Sequence, residues 1–260
     1  MDFQSEHLTI PRGKIFFAKY NPGTQVPGAY RELGNCPEFT LTRDSETIQH
    51  FSSQAGLKVL DEEINIGATM SGALTTDDIK SENVAYFFMG GVSTIAATAQ
   101  TDVSETFETV KAGDVYQLGQ SDTVPSGVRS VTITTVTDGA TTPVALVENT
   151  DYEVDLDLGL LTALKDQLKI VVTYDVAAST REQIVAGDTQ VEGALKFVSF
   201  NALGEQADYT MPRARLSANG DFALVNDPDS TAFQTMPLSL AILKKGNLAL
   251  AYRDGRAVAA

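Results

Sequence analysis

Three patterns predict a mainly β protein, an antiparallel β-sandwich or barrel with one flanking α-helix and an additional small β module. Residues 63–75 alternate apolar and polar with a period of two. Residues 113–176 break into short β-branched and aromatic runs punctuated by turn residues. Only the segment around Val84, Phe87 and Phe88 carries the i, i+3, i+4 spacing of a helix.

Residues 1–12 show no periodic pattern and read as an N-terminal arm. The first apolar burst, 15–20, follows Gly13 and stops at Asn21-Pro22-Gly23, giving a strand and a turn. In 38–42, Phe39 and Leu41 alternate with Glu38, Thr40 and Thr42, as a strand with one buried face should. A polar segment, 44–56, comes next. In 63–75, Ile64, Ile66, Ala68, Met70 and Leu74 share one parity, while Glu63, Asn65, Thr69, Ser71 and Thr75 occupy the other. The first set is expected in a core. The second forms a polar, mostly uncharged face, which suits either a quiet solvent surface or a smooth functional one. Thr75, Thr76, Asp77 and Asp78 supply caps and acids for a helix start, and Gly90-Gly91 ends that helix. Residues 94–108, rich in Thr, Ala and Ser, fit either a strand or an extended connection.

Strands are predicted at 115–118, 128–136, 144–147, 152–156, 160–164 and 168–174, with Asp138-Gly139 as a hairpin cue. Further strands are expected at 194–200, 209–216 and 222–225. Residues 238–243 and 248–252 read as a hairpin around 244–247, and 256–260 as a small-residue tail. The resulting organisation is an arm (1–12), a core from 13–110 and 179–260, and an outer β module (111–178).

The 260 residues include 34 acidic against 19 basic side chains, a net charge of −15. With no Lys/Arg block, a phosphate-gripping surface is excluded, because backbone binding needs clustered cations. Cys36 is the single cysteine, so no internal disulfide forms. Acids, His7 and Pro11 precede any apolar stretch, so a signal-peptide core is missing and folding in a reducing cytoplasm is expected. Apolar runs such as 84–92 are too short to span a bilayer.

No Gly-rich phosphate loop, dinucleotide fingerprint, HExxH or nucleophile elbow occurs. Only His7 and His50 are available as bases, so a hydrolytic triad is not expected. Cys36, between Asn35 and Pro37, reads as a buried spectator thiol. Asp151, Glu153, Asp155 and Asp157 alternate with Tyr152, Val154, Leu156 and Leu158. They present either a calcium-binding row or a solvated face that discourages aggregation. Asn226-Asp227-Pro228-Asp229 fits a turn at least as well as a cation site. No enzyme activity, cofactor or metal is expected.

The run Leu33-Gly34-Asn35-Cys36-Pro37-Glu38-Phe39-Thr40-Leu41, the segment 46–56 with His50-Phe51-Ser52-Ser53, the long strand through Ile64 and Leu74, and the helix opened by Thr76-Asp77-Asp78 follow one another in a characteristic order. Gly193-Ala194-Leu195-Lys196-Phe197, Met211-Pro212-Arg213-Ala214 and 216–225 continue it. Over roughly 13–90 and 190–250 the chain resembles the major tail tube proteins of long-tailed bacteriophages.

The resemblance implies a homohexameric ring, stacked into a hollow tube whose inner strands line a lumen. That tube houses the tape measure protein, passes the genome as transiting cargo, and meets tail terminator and tail tip or baseplate proteins at its ends. It is assembled in the host cytoplasm and resides in the virion. By position, the lumen-facing residues are expected to be Glu38, Thr40, Thr42, Glu63, Asn65, Thr69, Ser71 and Thr75. A loop carrying Arg43, Asp44, Glu46, His50, Phe51 and Lys58 is expected to reach the neighbouring ring. The alternatives are a tail terminator or baseplate hub of the same fold, or a β-sandwich carbohydrate-binding or adhesion module. Carbohydrate sites usually present exposed aromatics; the chain has no tryptophan, and its eight tyrosines keep that alternative open.

Overall fold

Period-two patterning dominates this chain, and its strands pair antiparallel throughout both of the units described below. The computed structural model describes residues 8–54 and 56–256; positions 1–7 of the expected arm and 257–260 of the expected tail lie outside the described residues. In chain order the elements are β1 (Gly13–Lys19), β2 (Arg31–Glu32), β3 (Glu38–Ser52), β4 (Val59–Thr76), α1 (Ser81–Phe87), β5 (Gly91–Ala97), β6 (Gln100–Val110), β7 (Val115–Gln117) and β8 (Val131–Thr137). They continue with β9 (Tyr152–Asp155), β10 (Leu160–Ala163), β11 (Gln167–Val176), β12 (Ser179–Val185), β13 (Val191–Ser199), β14 (Ala207–Ala218), β15 (Met236–Ile242) and β16 (Tyr252–Gly255). Two compact units result, one from residues up to Val92 and from Ile184 onward, the other from Ser93–Gln183.

The first unit is a single sheet in the order β2-β1-β13-β14-β15-β4-β3, with β16 added on β14. Inward residues of successive strands, among them Phe17, Leu195, Met211, Leu216, Leu238 and Leu74, build one core. Burial of that apolar surface is the main stabilising term. The sheet curls until Phe39 on β3 stands 5.8 Å from Phe197 on β13. Its edge strands β2 and β3 do not pair, so the barrel stays open. Gly13 is required where the Phe197 ring lies over β1, since a Cβ there would sit 2.4 Å from the ring.

The helix exists but starts at Ser81, with Lys80 as N-cap, rather than at Thr76. Thr76 is the buried end of β4, and its hydroxyl reaches the carbonyls of Leu33 and Asn35, both at 3.1 Å. Asn83, Ala85 and Tyr86 are the buried helix residues, and Phe88 becomes the exposed C-cap, so the expected face of Val84, Phe87 and Phe88 is rotated. Asn83 explains the rotation. Its Nδ2 donates to the carbonyls of Leu33 and Asp78, both at 2.9 Å, while its Oδ1 accepts from Arg31 at 3.1 Å. A buried amide with every contact satisfied fixes which side faces inward.

The second unit holds two three-stranded sheets, β7-β10-β9 and β6-β11-β8, over a core that includes Leu118, Leu161, Ile170, Val172 and Tyr174. It is wider than the 111–178 module read from sequence, because β6 pairs with β11. The ambiguous 94–108 segment falls into strands β5 and β6, and β5 pairs with β12. Tyr174 is fully buried and donates to Glu105 at 2.8 Å. Burial and the adjacent carboxylate push its phenol well above its ordinary value.

Three expected strands are corrected. Residues 144–147 make only an isolated bridge through Ala145 to Thr137, closing the Asp138-Gly139 turn. Residues 222–225 belong to an irregular connection. Residues 248–251 are not a hairpin partner of β15, which lies between β14 and β4; β16 pairs instead with the start of β14. Among the described residues no helix is long and apolar enough to cross a membrane.

Candidate functional site

The strands β3 and β4 run far beyond the sheet that anchors them. β15 accompanies β4 only from Met70 to Thr76, whereas β3 pairs with β4 from Glu38↔Thr75 out to Ser52↔Val59. The outer half, beyond Asp44↔Thr69, is therefore a two-stranded ribbon. The segment expected as a loop is strand instead. Arg43, Asp44, Glu46, His50 and Phe51 lie in β3, and only Lys58 sits in the turn. A polar segment reads as a loop because neither of its faces is buried, yet a partner strand of equal length satisfies its backbone.

Side-chain contacts across the ribbon hold it together. His50 Nδ1 lies 2.5 Å from Asp61 Oδ1. Gln49 donates to Glu63 at 3.0 Å, and the Lys58 ammonium stands 3.8 Å from the centre of the Phe51 ring. Such exposed contacts are weak, and an isolated two-stranded ribbon is marginal in water. Ile48 and Ile64 face one another across the ladder and are 56% and 53% exposed. Val59, Leu60 and Ile66 add to the exposed apolar surface. The outer edge of β3 has no strand partner among the described residues, and neither does that of β4 beyond Met70.

The register decides which residues share a face, since directly paired residues project to the same side. Glu38 pairs with Thr75, Thr42 with Ser71 and Asp44 with Thr69, while Thr40 pairs with Ala73. Six of the eight expected face residues, Glu38, Thr40, Thr42, Thr69, Ser71 and Thr75, thus lie together, opposite the core side of Phe39, Leu41 and Leu74. The face continues onto β15 and β14, where Ser239 stands beside Ala73 and its hydroxyl is 2.7 Å from that of Ser217. On β3, β4 and β15 its side chains are small and uncharged apart from Glu38 and Asp44, whereas on β14 the row through Thr42, Ser71 and Ala241 continues to Arg215 and then to Glu192 on β13.

Glu63 and Asn65 leave this face. The ladder steps from Glu46↔Gly67 to Thr47↔Asn65, so Ile66 is an extra residue in β4 and the parity inverts beyond it. Ile64 and Ile66 are accordingly not in the core, contrary to the single apolar parity read along the strand. Beyond the bulge, Ile64 and Ile48 take the side held by Thr42 and Ser71 nearer the core. The pairing of Ile48 with Ile64 was not legible, because Ile64 reads as part of a core-facing alternation and Ile48 as an apolar residue in a polar segment until the two strands are set in register.

The other candidate residues are engaged in local contacts. Only Glu153 and Asp155 of the acidic row lie in β9. Asp151 is paired with Lys165 at 2.7 Å, Asp155 caps the Leu158 amide at 2.9 Å, and Leu156 and Leu158 are half-exposed in a turn. Asp227 closes a turn by accepting from the Asp229 amide at 2.9 Å. No group of three or more potential metal ligands occurs among the described residues. Burial pushes the Cys36 thiol up to about 11, which suits a spectator rather than a nucleophile.

A family model described as "Protein of unknown function UCP028589" matches residues 8–248. The chain belongs to that family. The match takes in the ribbon, the middle unit and the strands β13 to β15. No curated protein matches the chain.

Proposed function

We propose that the chain is a structural virion subunit. Six copies close into a ring, and rings stack into the tail tube of a long-tailed bacteriophage. The observation that carries this reading is the β3–β4 ribbon, with unpaired edges and isoleucines in water. A second copy of the same ribbon, laid alongside, satisfies the edge groups and sets its isoleucines beside the first pair, so that neighbouring side chains cover part of one another. The resemblance of residues 13–90 and 190–250 to tail tube proteins supplies the kind of assembly.

In this reading the face of Glu38, Thr40, Thr42, Thr69, Ser71 and Thr75 lines the lumen, and Glu63 and Asn65 do not. The small polar side chains of β3 and β4, on subunits of charge −15, give a polyanion few places to adhere along these two strands. The tube would assemble around the tape measure protein, with terminator and tail tip proteins at its ends. Negative-stain microscopy of the concentrated protein tests the proposal. Stacked rings or tubes are expected; single rings that never stack favour a terminator, and isolated monomers contradict both.

A further inference from the structure

The open side of the curled sheet and the long connection 219–235 are two features of the first unit that the ribbon does not use. Where β3 fails to pair with the far edge, a groove of about 930 Å³ is left, lined by Phe39, Leu41, Met70, Phe197 and Tyr209. Arg12 lies in its lining, and Arg43 stands directly across the ladder from Met70. Neither guanidinium has a carboxylate partner among the described residues, which is notable in a chain of net charge −15. Glu38 is the one carboxylate residue in the lining.

The connection 219–235 has the complementary character. It is longer than the roughly 12–15 residues beyond which structureless loops are usually functional. Phe222 roots it against Phe87, with ring centres 5.5 Å apart, and Gln234 ties its limbs by donating to the Ala223 carbonyl at 2.5 Å. Beyond the root, Leu224, Val225 and Phe233 are 80%, 89% and 87% exposed. The connection carries Asp221, Asp227 and Asp229 and no Lys or Arg. Three large apolar side chains held in water on an acidic, internally braced loop are an unoccupied contact surface.

We propose that the 219–235 loop of one copy docks into the groove of the next, placing Val225 and Phe233 against Phe39, Leu41 and Met70, and the loop carboxylates opposite Arg12 and Arg43. The occupant is a second copy because charge and apolarity match within one sequence. The contact is heterologous, so it propagates around a ring or along a stack. The inference rests on the self-assembly reading and names a surface for it apart from the ribbon.

Sedimentation velocity of the full chain over a concentration series tests it, with thermal melting as the control for folding. Val225→Ser with Phe233→Ser is expected to leave melting unchanged and to weaken association at least about tenfold. Asp229→Lys and Arg43→Glu are each expected to weaken it, and the two together to restore it, because the swapped pair recovers its attraction. Wild-type association that ignores the loop variants overturns the docking and leaves self-assembly standing. Weakening without rescue by the double swap overturns the assigned groove. A wild type that is monomeric at every concentration overturns both, and leaves groove and loop to partners of another sequence.

Discussion

Asn83 shows how one side chain sets the geometry at the edge of the core. Its amide joins the chain before β3, the end of β4 and Arg31, and Arg31 also pairs with Glu82 at 2.9 Å. Asn83→Ala strands the Asp78 carbonyl and removes an acceptor from Arg31, so a loss of about 2–3 kcal/mol is expected in urea unfolding. Asp208 is one carboxyl through which stability is expected to depend on pH. The Arg256 guanidinium, 3.0 Å away, and then the Ser199 amide, also at 3.0 Å, hold its carboxyl below the usual carboxylate range. A carboxyl depressed on folding contributes stability that is complete above its unfolded value, near about 3.9, and is lost as the pH falls through the folded value. The urea midpoint of the wild type is therefore expected to fall more steeply below about pH 4 than that of Asp208→Asn.

At the scale of elements, the bulge at Ile66 divides β4 into a core half and a ribbon half. Leu74 is 1% exposed and Ile66 53%. Leu74→Lys buries a charge and is expected to unfold the first unit, costing more than about 4 kcal/mol, whereas Ile66→Lys is expected to fold with stability within about 0.5 kcal/mol of wild type. Circular dichroism and chemical unfolding check both. Phe39, Leu41, Met70 and Leu74 made the anchored ends of β3 and β4 legible in sequence, because alternation appears wherever one face is buried. Residues 43–52 were not legible, since a ribbon with neither face in a core has no hydrophobic pattern to read. The inversion at Ile66 is a relation between two strands, and parity along one strand does not contain it. The opposite error occurred at 222–225, where Phe222, Leu224 and Val225 look like a strand but find no partner, and three of the four residues stay in water. The shared polar face was legible in part: Thr69, Ser71 and Thr75 lie on the anchored side of the bulge, whereas Glu63 and Asn65 lie beyond it.

At the scale of the whole molecule, the second unit has its own core, and the chain enters and leaves it through paired strands β5 and β12. In the first unit the Gly187 amide donates to the Phe88 carbonyl at 3.1 Å, so the two ends of the first unit's chain already meet. Replacing 93–183 by a short Gly/Ser bridge is expected to leave the first unit folded, with a single cooperative melt, and to leave its association intact. Sedimentation velocity of wild type beside Ile48→Lys with Ile64→Lys tests most directly whether the β3–β4 ribbon assembles copies of this chain. Large species from the wild type that give way to monomer in the variant, at an unchanged melting temperature, are the predicted result. A wild type that stays monomeric at every concentration, or a variant that assembles as the wild type does, would contradict it.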